Sequence, residues 1–564
     1  MQPPTARRFG PVAFVGTLAC LGVLPLAPEV YLFFGSHADL KYFAPIAYYE
    51  LLISFLLLAP ALFLPRFPAR VWVILSGGAM ALATLVVGFH AVCYGARWNL
   101  AAHTALMQTN HNQVGDFLVN FLSPAVVASM ALLSAAFAGC IAANVAAEPP
   151  RWRVRIGLFA FGALASAHGI ASSVRFGGTL TRRVAVSPTQ SIRFVDSGYG
   201  KLHPLTFLAM IHFNYITTNR YFLRQYRDVG RHLRELDGAR PVPGAAPPRL
   251  IVVVIGESSN RSHWSLYGYP RETTPRLDAL APQLQVFTDV ISTCTSTVFS
   301  LGDMFSVRGE MIPSFPLFSQ AGYATHWYSA QFNQGGADLL INSLVASCGE
   351  HVYLNGVYDE NLERLVSRAA ALPGRQLVFA HLFGSHVRYL DRYPRRFDRF
   401  KPADDGGPLR SSYDNTILYT DTVLADLIGI LQRRHDSSCL LYVSDHAEDV
   451  LDSRPDKYLF RDETLATNPM YEVPFFAWFS PEYIRDNGAF VAKGVAAARN
   501  RRFQDRELYL EIMDLARLRH PLYDPRASLF SPDFVERVRR VGVMGRVYRG
   551  APGVVKSAGI VSSR

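Results

Sequence analysis

Apolar residues crowd into the first third of the chain. Five stretches, Val12 to Phe34, Phe43 to Leu64, Val71 to Tyr94, Phe117 to Ala146 and Val154 to Ser172, are each long enough for the roughly 20 residues of a spanning helix. Arg7 and Arg8 precede the first run in the manner of a signal peptide, but that run is too long for one and leads straight into further spans. Five such runs in succession favour a membrane domain over buried soluble helices. Arg66 and Arg70 lie between spans two and three, and Arg151, Arg153 and Arg155 between four and five, whereas the alternate loops hold only Lys41 and Arg97. This arginine bias predicts a cytoplasmic N-terminus and an external location for everything beyond about Ser172.

The pattern then changes. From Gly178 to Arg240 the chain is polar and amphipathic, with Tyr215, Tyr221, Phe222 and Tyr226 among basic residues. Helices lying on the membrane surface and ordinary packing against the next domain fit this segment equally well. A Pro/Gly/Ala linker follows at Pro241 to Pro248. Next comes Leu250 to Ile255 (LIVVVI), a continuous apolar run of the kind found in a strand buried on both faces. Gln376 to His381 and Cys439 to Ser444 read the same way, and helical patterns such as Thr416 to Arg433 lie between them. Strands alternating with helices predict an α/β domain with a mostly parallel sheet. The expected organisation is a five-span membrane domain over 1–175, a connecting segment over 176–248 and an external catalytic α/β domain over 249–564.

Composition adds limits. Of 564 residues 50% are hydrophobic and 18% charged, which excludes a disordered chain or a disulfide miniprotein. The net charge of +11 is compatible with nucleic acid, an anionic membrane or phosphorylated substrates. No zinc-finger spacing or other nucleic-acid motif accompanies it, so nucleic acid is not an expected partner. Three of the six cysteines, Cys20, Cys93 and Cys140, fall in spans. The other three, Cys294, Cys348 and Cys439, can form at most one disulfide among themselves and have no metal-type spacing. An external domain cannot count on cytosolic nucleotides.

In a parallel sheet the site lies beyond the carboxyl ends of the strands. Glu257, His381, Ser385, His386, Asp445 and His446 all fall at such ends. Glu257 with Asp445-His446 offers two carboxylates and an imidazole, a mixed O/N set suited to zinc. Between the first two strands lies Ser292 to Val298 (STCTSTV), hydroxyl-rich and ahead of a predicted helix. A hydroxyl there caps the helix or, beside a metal, ionises and acts as a nucleophile; the residues alone leave both open.

The stretch Gly256 to Pro275 (GESSNRSHWSLYGYPRETTP) closely resembles the signature of bacterial phosphoethanolamine transferases. The resemblance recurs at Phe287 to Ser292, His381 to His386, Tyr413 to Asp421, Ser444 to His446, Met470 to Phe475 and Tyr523 to Phe530, so it spans nearly the whole chain. It is greatest to the branch that modifies the lipopolysaccharide core. The resemblance implies a five-helix transmembrane domain in the bacterial inner membrane and a periplasmic domain of alkaline phosphatase/sulfatase fold. It implies phosphatidylethanolamine as donor and lipopolysaccharide, at a core sugar or lipid A, as acceptor. Carried over by motif, the zinc ligands are Glu257, Asp445, His446 and a threonine. The nucleophile falls on Thr297, with Thr295 the runner-up in a slightly gapped match. His386 matches a histidine that contacts substrate phosphate, and Glu448 a carboxylate beside the Asp-His pair. Thr109 and Asn110, after span three, resemble polar residues facing the site from the membrane domain; their other reading is plain solvation of the loop.

Three departures accompany the match. Ala447 stands where glycine is usual after Asp-His, a tolerable change because alanine is small. A further histidine expected about a dozen residues beyond the pair is missing around Tyr458. The cysteine pair of the lipid A branch is incomplete, Asp303 standing near its second position. Among rivals, a sulfatase needs a Cys-x-Pro/Ala-x-Arg context that Cys294 lacks. A phosphoglycerol transferase shares fold and threonine but not the long signature. A membrane scaffold without catalysis is the alternative from a different class, separable by zinc binding and donor turnover.

Overall fold

The computed structural model describes residues 10–36, 40–94, 122–164, 238–307, 312–332, 339–404, 407–453, 466–542 and 545–550, with isolated positions between 98 and 216. The chain divides into two compact units, Met1–Thr218 and Asn219–Arg564.

The first unit is helical: α1 (Pro11–Val23), α2 (Ala27–Ser36), α3 (Leu40–Leu58), α4 (Arg66–Tyr94) and α5 (Pro124–Ala146), with residues 152–164 also helical. Among the described residues three helical stretches, Pro11–Phe34, Arg66–Cys93 and Pro124–Ala146, are long and apolar enough to cross a membrane, and Ala47–Leu62 is a shorter apolar helix. These correspond to the first, third, fourth and second expected spans; the later part of the fifth lies outside the described residues. Their contacts suit a lipid solvent, where close packing replaces the hydrophobic drive between helices. Gly77 of α4 leaves no spare room against Ile141 of α5, since a Cβ there would come within 3.0 Å of that side chain. Asn144 of α5 donates from Nδ2 to Phe14 O (2.8 Å) and Thr17 Oγ1 (2.9 Å), satisfying a buried amide by latching α5 to α1.

The second unit is built on a seven-stranded sheet. Its strands in chain order are β1 (Leu250–Gly256), β2 (Leu284–Val286), β4 (Tyr323–Ser329), β5 (Glu350–Tyr353), β6 (Arg375–His381), β7 (Ser438–Ser444) and β8 (Phe475–Phe479). A short strand, β3 (Asp289–Ile291), lies outside this sheet. The spatial order is β2-β8-β7-β1-β6-β4-β5, parallel from β7 to β5 and antiparallel at the β2-β8-β7 edge. β1 is buried along its whole length. Its period-two alternation divides it between two cores. Ile251, Val253 and Ile255 join Leu301, Met304 and Phe305 of helix α6 (Thr297–Phe305) on one face. Leu250, Val252 and Val254 join Leu362 and Val366 of α7 (Asn361–Ala371) and Ile417, Leu424 and Leu427 of α8 (Gly407–Gln432) on the other. Each fully buried aliphatic side chain contributes about 1.5–3 kcal/mol, so the sheet is anchored from both sides.

α8 begins nine residues earlier than the apolar period suggests. Its first turns carry buried polar residues, Ser411, Asp414 and Asn415, that bond to neighbouring loops instead of presenting an apolar stripe. None of the six cysteines is in a disulfide, and Cys294, Cys348 and Cys439 are buried.

Candidate metal centre and nucleophile

The three central strands end together. Gly256 pairs with Ser444 across β1 and β7, and Ile255 pairs with His381 across β1 and β6. The next residues of β1 and β7 are Glu257 and Asp445-His446, all fully buried. Gly256 is required where it stands, because a Cβ would meet the Tyr442 hydroxyl at 2.4 Å. The chain then turns through Ser258 in the left-handed region (φ 56°). There the Ser258 amide donates to Asp445 Oδ1 (3.2 Å) and its hydroxyl to Glu257 Oε1 (2.6 Å). Asp445 Oδ1 also accepts from the His446 amide (2.7 Å).

His446 settles what this cluster suits. Its Nδ1 lies 3.1 Å from Ala447 O, an acceptor only, so Nδ1 donates there and Nε2 is the ring nitrogen turned to the carboxylates. Nε2 lies 3.4 Å from Glu257 Oε1 and 3.6 Å from Asp445 Oδ2. One ligand atom from each of the three residues lies within 4.8 Å of the others. Two carboxylates brought together in a dry interior repel unless a cation sits between them. The donor set fits zinc.

Thr297 is the first residue of α6. Its Oγ1 donates to Glu257 Oε2 (2.9 Å) and lies 3.5 Å from His446 Nε2. The positive end of the helix dipole favours negative charge developing there. Thr295, the runner-up, is fully enclosed, whereas Thr297 is partly open to an incoming substrate. The lead-in loop is held on several sides. The Ser292 amide donates to Tyr471 O (2.8 Å), the Gly542 amide to Thr293 O (2.7 Å), and the Ser292 and Ser300 hydroxyls to Cys294 O (2.9 and 3.2 Å).

Around these groups stand His381, one of the strand-end candidates, and Gln331 and Asp359, which the sequence did not single out. Gln331, just past β4, donates from Nε2 toward Glu257 Oε2 (3.1 Å), His381 Nε2 (3.0 Å) and Leu382 O (3.0 Å). The strand-end rule that selected Glu257 points to this position too, but Tyr323–Ser329 mixes polar and apolar residues and does not read as a buried strand. Burial pulls His381 down to about 4, against the attraction of Glu257, so its imidazole is neutral. Asp359 accepts from the Phe383 (2.6 Å) and Gly384 (2.9 Å) amides and fastens the turn after β6. Burial raises its carboxyl to about 6 despite those two donors.

Gly384 lies in that turn at φ +47°, where an added Cβ would come within 2.9 Å of Glu257 O and 3.0 Å of Glu257 N. Gly384→Ala combines left-handed strain with an overlap against backbone. It is expected to destabilise this unit by about 2 kcal/mol or more, read as a lowered midpoint in urea unfolding with zinc affinity reduced.

His386 and Glu448 form a separate part of the surroundings. His386 is half-buried, its ring 5.6 Å from that of Phe383, while the adjacent Ser385 amide bonds Glu257 O (2.9 Å). Glu448 is fully buried and accepts from the hydroxyl of Tyr389, three residues beyond His386. Thr109 and Asn110 lie outside the described residues, as does Tyr458.

Most of the Gly256 to Pro275 stretch serves as a bracket. His263 bridges Asp414 of α8 (2.7 Å) and Asp452 (3.1 Å), and Arg271 and Tyr269 also reach Asp414 (2.8 and 3.0 Å). Burial opposes charge on His263, but the two carboxylates outweigh it and raise the imidazole to about 9. This bracket holds the loop that continues from His446 against α8.

A family model described as Sulfatase matches residues 249–516. The chain is 28% identical over 530 residues to phosphoethanolamine transferase EptC of Escherichia coli, spanning 87% of this chain and 88% of that protein. It is 29% identical over 529 residues to phosphoethanolamine transferase CptA of Salmonella typhimurium, with the same coverage. Among solved structures, the C-terminal periplasmic domain of Escherichia coli EptC in complex with zinc aligns with a TM-score of 0.51 at 30% identity, over 57% of this chain and 95% of that one. The integral membrane lipooligosaccharide phosphoethanolamine transferase A of Neisseria meningitidis aligns with a TM-score of 0.61 at 19% identity, over 93% and 99%, a likeness of fold.

Proposed function

The chain belongs to the phosphoethanolamine transferase family, and from that premise we propose that it moves phosphoethanolamine from phosphatidylethanolamine to lipopolysaccharide through a phosphothreonine at Thr297. The observation that carries this reading is the Thr297 hydroxyl, bonded to Glu257 inside the Glu257, Asp445 and His446 cluster. Those three residues and Thr297 would hold zinc. When bound, zinc lowers the pKa of a nearby hydroxyl and offsets charge on the transferring phosphoryl group.

The chain's own groups supply the rest. Glu257 Oε2 accepts the Thr297 hydroxyl hydrogen and is placed to take that proton as Oγ1 attacks phosphorus. The bond from phosphorus to the diacylglycerol oxygen breaks, and His386 supplies a proton to the departing alcohol. In the second step an acceptor oxygen attacks the phosphothreonine, an acceptor hydroxyl giving its proton to His386 (for a phosphate acceptor, solvent restores it). The bond from phosphorus to Thr297 Oγ1 breaks, and the proton held by Glu257 returns to Oγ1. Glu448, tied to Tyr389, stabilises the loop on which His386 is presented. Thr109 and Asn110 are the residues of the first unit assigned to the donor headgroup. No nucleotide is consumed.

The reading places five spans in the bacterial inner membrane over 1–175, a connecting segment over 176–248 and a periplasmic catalytic domain over 249–564. Alkaline phosphatase fused after Arg564 is expected to be active in a Gram-negative host, with a cytosolic reporter at the same point silent. The reverse pattern would sink this topology. The transfer itself is tested by mass spectrometry of lipopolysaccharide from cells with and without the intact gene. The expected result is the mass of one phosphoethanolamine gained in the core or lipid A fraction; identical spectra would reject the proposed acceptor.

A further inference from the structure

The first unit contains a cavity of about 250 Å³ where α1, the start of α4, the end of α5 and the helical stretch 152–164 meet. Phe14, Ala69 and Ala147 line it with apolar surface, and Arg66, Arg70 and Arg155 line it with charge. Arginine bias in short loops accounts for cations on this side of the membrane, but not for three of them converging on one hollow.

Their placement is also unfavourable as it stands. Arg66 opens α4, Arg70 follows one turn later, and the first turn has no acidic residue. Cations there oppose the positive end of the helix dipole. Among the described residues the one ion pair made by these three arginines is Arg66 with Glu148, 3.6 Å apart and exposed on both sides, a contact that contributes little. Arg155 is fixed in place, donating from Nε to Pro150 O (2.6 Å) and from Nη1 to Leu62 O (3.3 Å), which leaves the remaining guanidinium N–H groups for another acceptor. Beside the cavity, Phe67 and Trp152 are 76% and 56% exposed, and Trp152 meets Phe63 edge-on at 5.6 Å. Exposed aromatics of this kind mark the headgroup level of a bilayer.

We propose that this cavity binds the phosphate of one anionic phospholipid of the cytoplasmic leaflet, its acyl chains running along the adjoining apolar helix surface. Three guanidiniums against one carboxylate favour a headgroup with net negative charge, and a zwitterionic lipid would bring its own cation toward them. The bound phosphate would also satisfy the helix dipole that Arg66 and Arg70 oppose. The assignment to the cytoplasmic leaflet rests on the topology proposed above; the lipid class does not.

The test is native mass spectrometry of the full chain in detergent, titrated separately with phosphatidylglycerol and phosphatidylcholine. Phosphatidylethanolamine is avoided because it is the proposed donor. One phosphatidylglycerol per chain is expected to bind at least about ten-fold tighter than phosphatidylcholine. The exposed double variant Arg66→Gln with Arg70→Gln should bring that preference close to parity, since each charge is worth about five-fold. Arg155→Lys, which keeps the charge, should retain most of it. Inorganic phosphate at 10 mM should leave the lipid bound. Equal binding of the two lipids, or an unchanged preference in the double variant, would overturn the proposal. Displacement by inorganic phosphate would overturn the lipid in favour of a soluble anion. Because the readout is binding, a failure of the transfer reading does not affect it, and the fusion at Arg564 reports the leaflet independently.

Discussion

Thr297→Ala is expected to lower phosphoethanolamine transfer by on the order of 10⁴-fold or more while the protein still folds and still takes up zinc. The hydroxyl is a partly open group at the first position of α6, so alanine there leaves the helix and the core beneath it unchanged. What is lost is the oxygen held 2.9 Å from Glu257 Oε2. Glu257, Asp445 and His446 remain, so zinc affinity falls without vanishing. Thr297→Ser, which keeps an oxygen in place, is expected to retain part of the activity. The decisive measurement is peptide mapping of the full chain after incubation with donor and zinc but no acceptor. Wild-type protein should carry phosphoethanolamine on Thr297, and the alanine variant none. An adduct on Thr295 would move the nucleophile two residues into the enclosed loop, and wild-type turnover by Thr297→Ala would reject the threonine mechanism at this position.

Asp445→Asn should weaken zinc binding by more than about 100-fold, since even partners one step removed from a metal are worth 10–100-fold. The substitution is close to isosteric. Its remaining carbonyl oxygen can still accept from the Ser258 and His446 amides at the Oδ1 position, so the strand ends stay tied. The second oxygen, near His446 Nε2, is replaced by an amide NH2 that cannot ligate a cation, and the carboxylate charge is lost. Zinc content after dialysis against a weak chelator, measured with the urea midpoint, separates metal loss from unfolding. Full zinc content and full transfer in the variant would show that Asp445 is not a ligand. His446→Ala removes the imidazole itself and should give the same loss of zinc and transfer.

The parts of this site that could be read directly were those coded by local pattern. Leu250 to Ile255 and Cys439 to Val443 are unbroken apolar runs because both faces of the sheet are covered, and such runs announce their own ends. Glu257 and Asp445-His446 follow immediately, so the strand-end rule finds them without any tertiary information. Gln331, Asp359 and Tyr389 are different. Each acts on a group distant in sequence, Glu257, the Phe383–Gly384 amides and Glu448 respectively, and each sits in a segment with no distinctive period. The long stretch from Asn260 to Pro275 is a different case again. It carries the family resemblance, and its His263, Tyr269 and Arg271 serve to hold Asp414 and Asp452. Its specificity reflects a dense buried polar network, where each member must match all the others.

The three buried thiols of the second unit bear on where and how this protein can mature. Burial pushes Cys348 and Cys439 far above the range in which a thiol ionises, so neither is a ready nucleophile for disulfide exchange. None of the six cysteines is in a disulfide, so the sheet and its two cores close by apolar burial and buried polar contacts without a covalent crosslink. Folding of this unit is therefore independent of thiol oxidation. It needs neither an oxidase nor an isomerase, and the same product forms whether the chain folds in an oxidising envelope or in the reducing interior of an expression host. Reductants that unravel disulfide-stapled secreted domains should leave it intact.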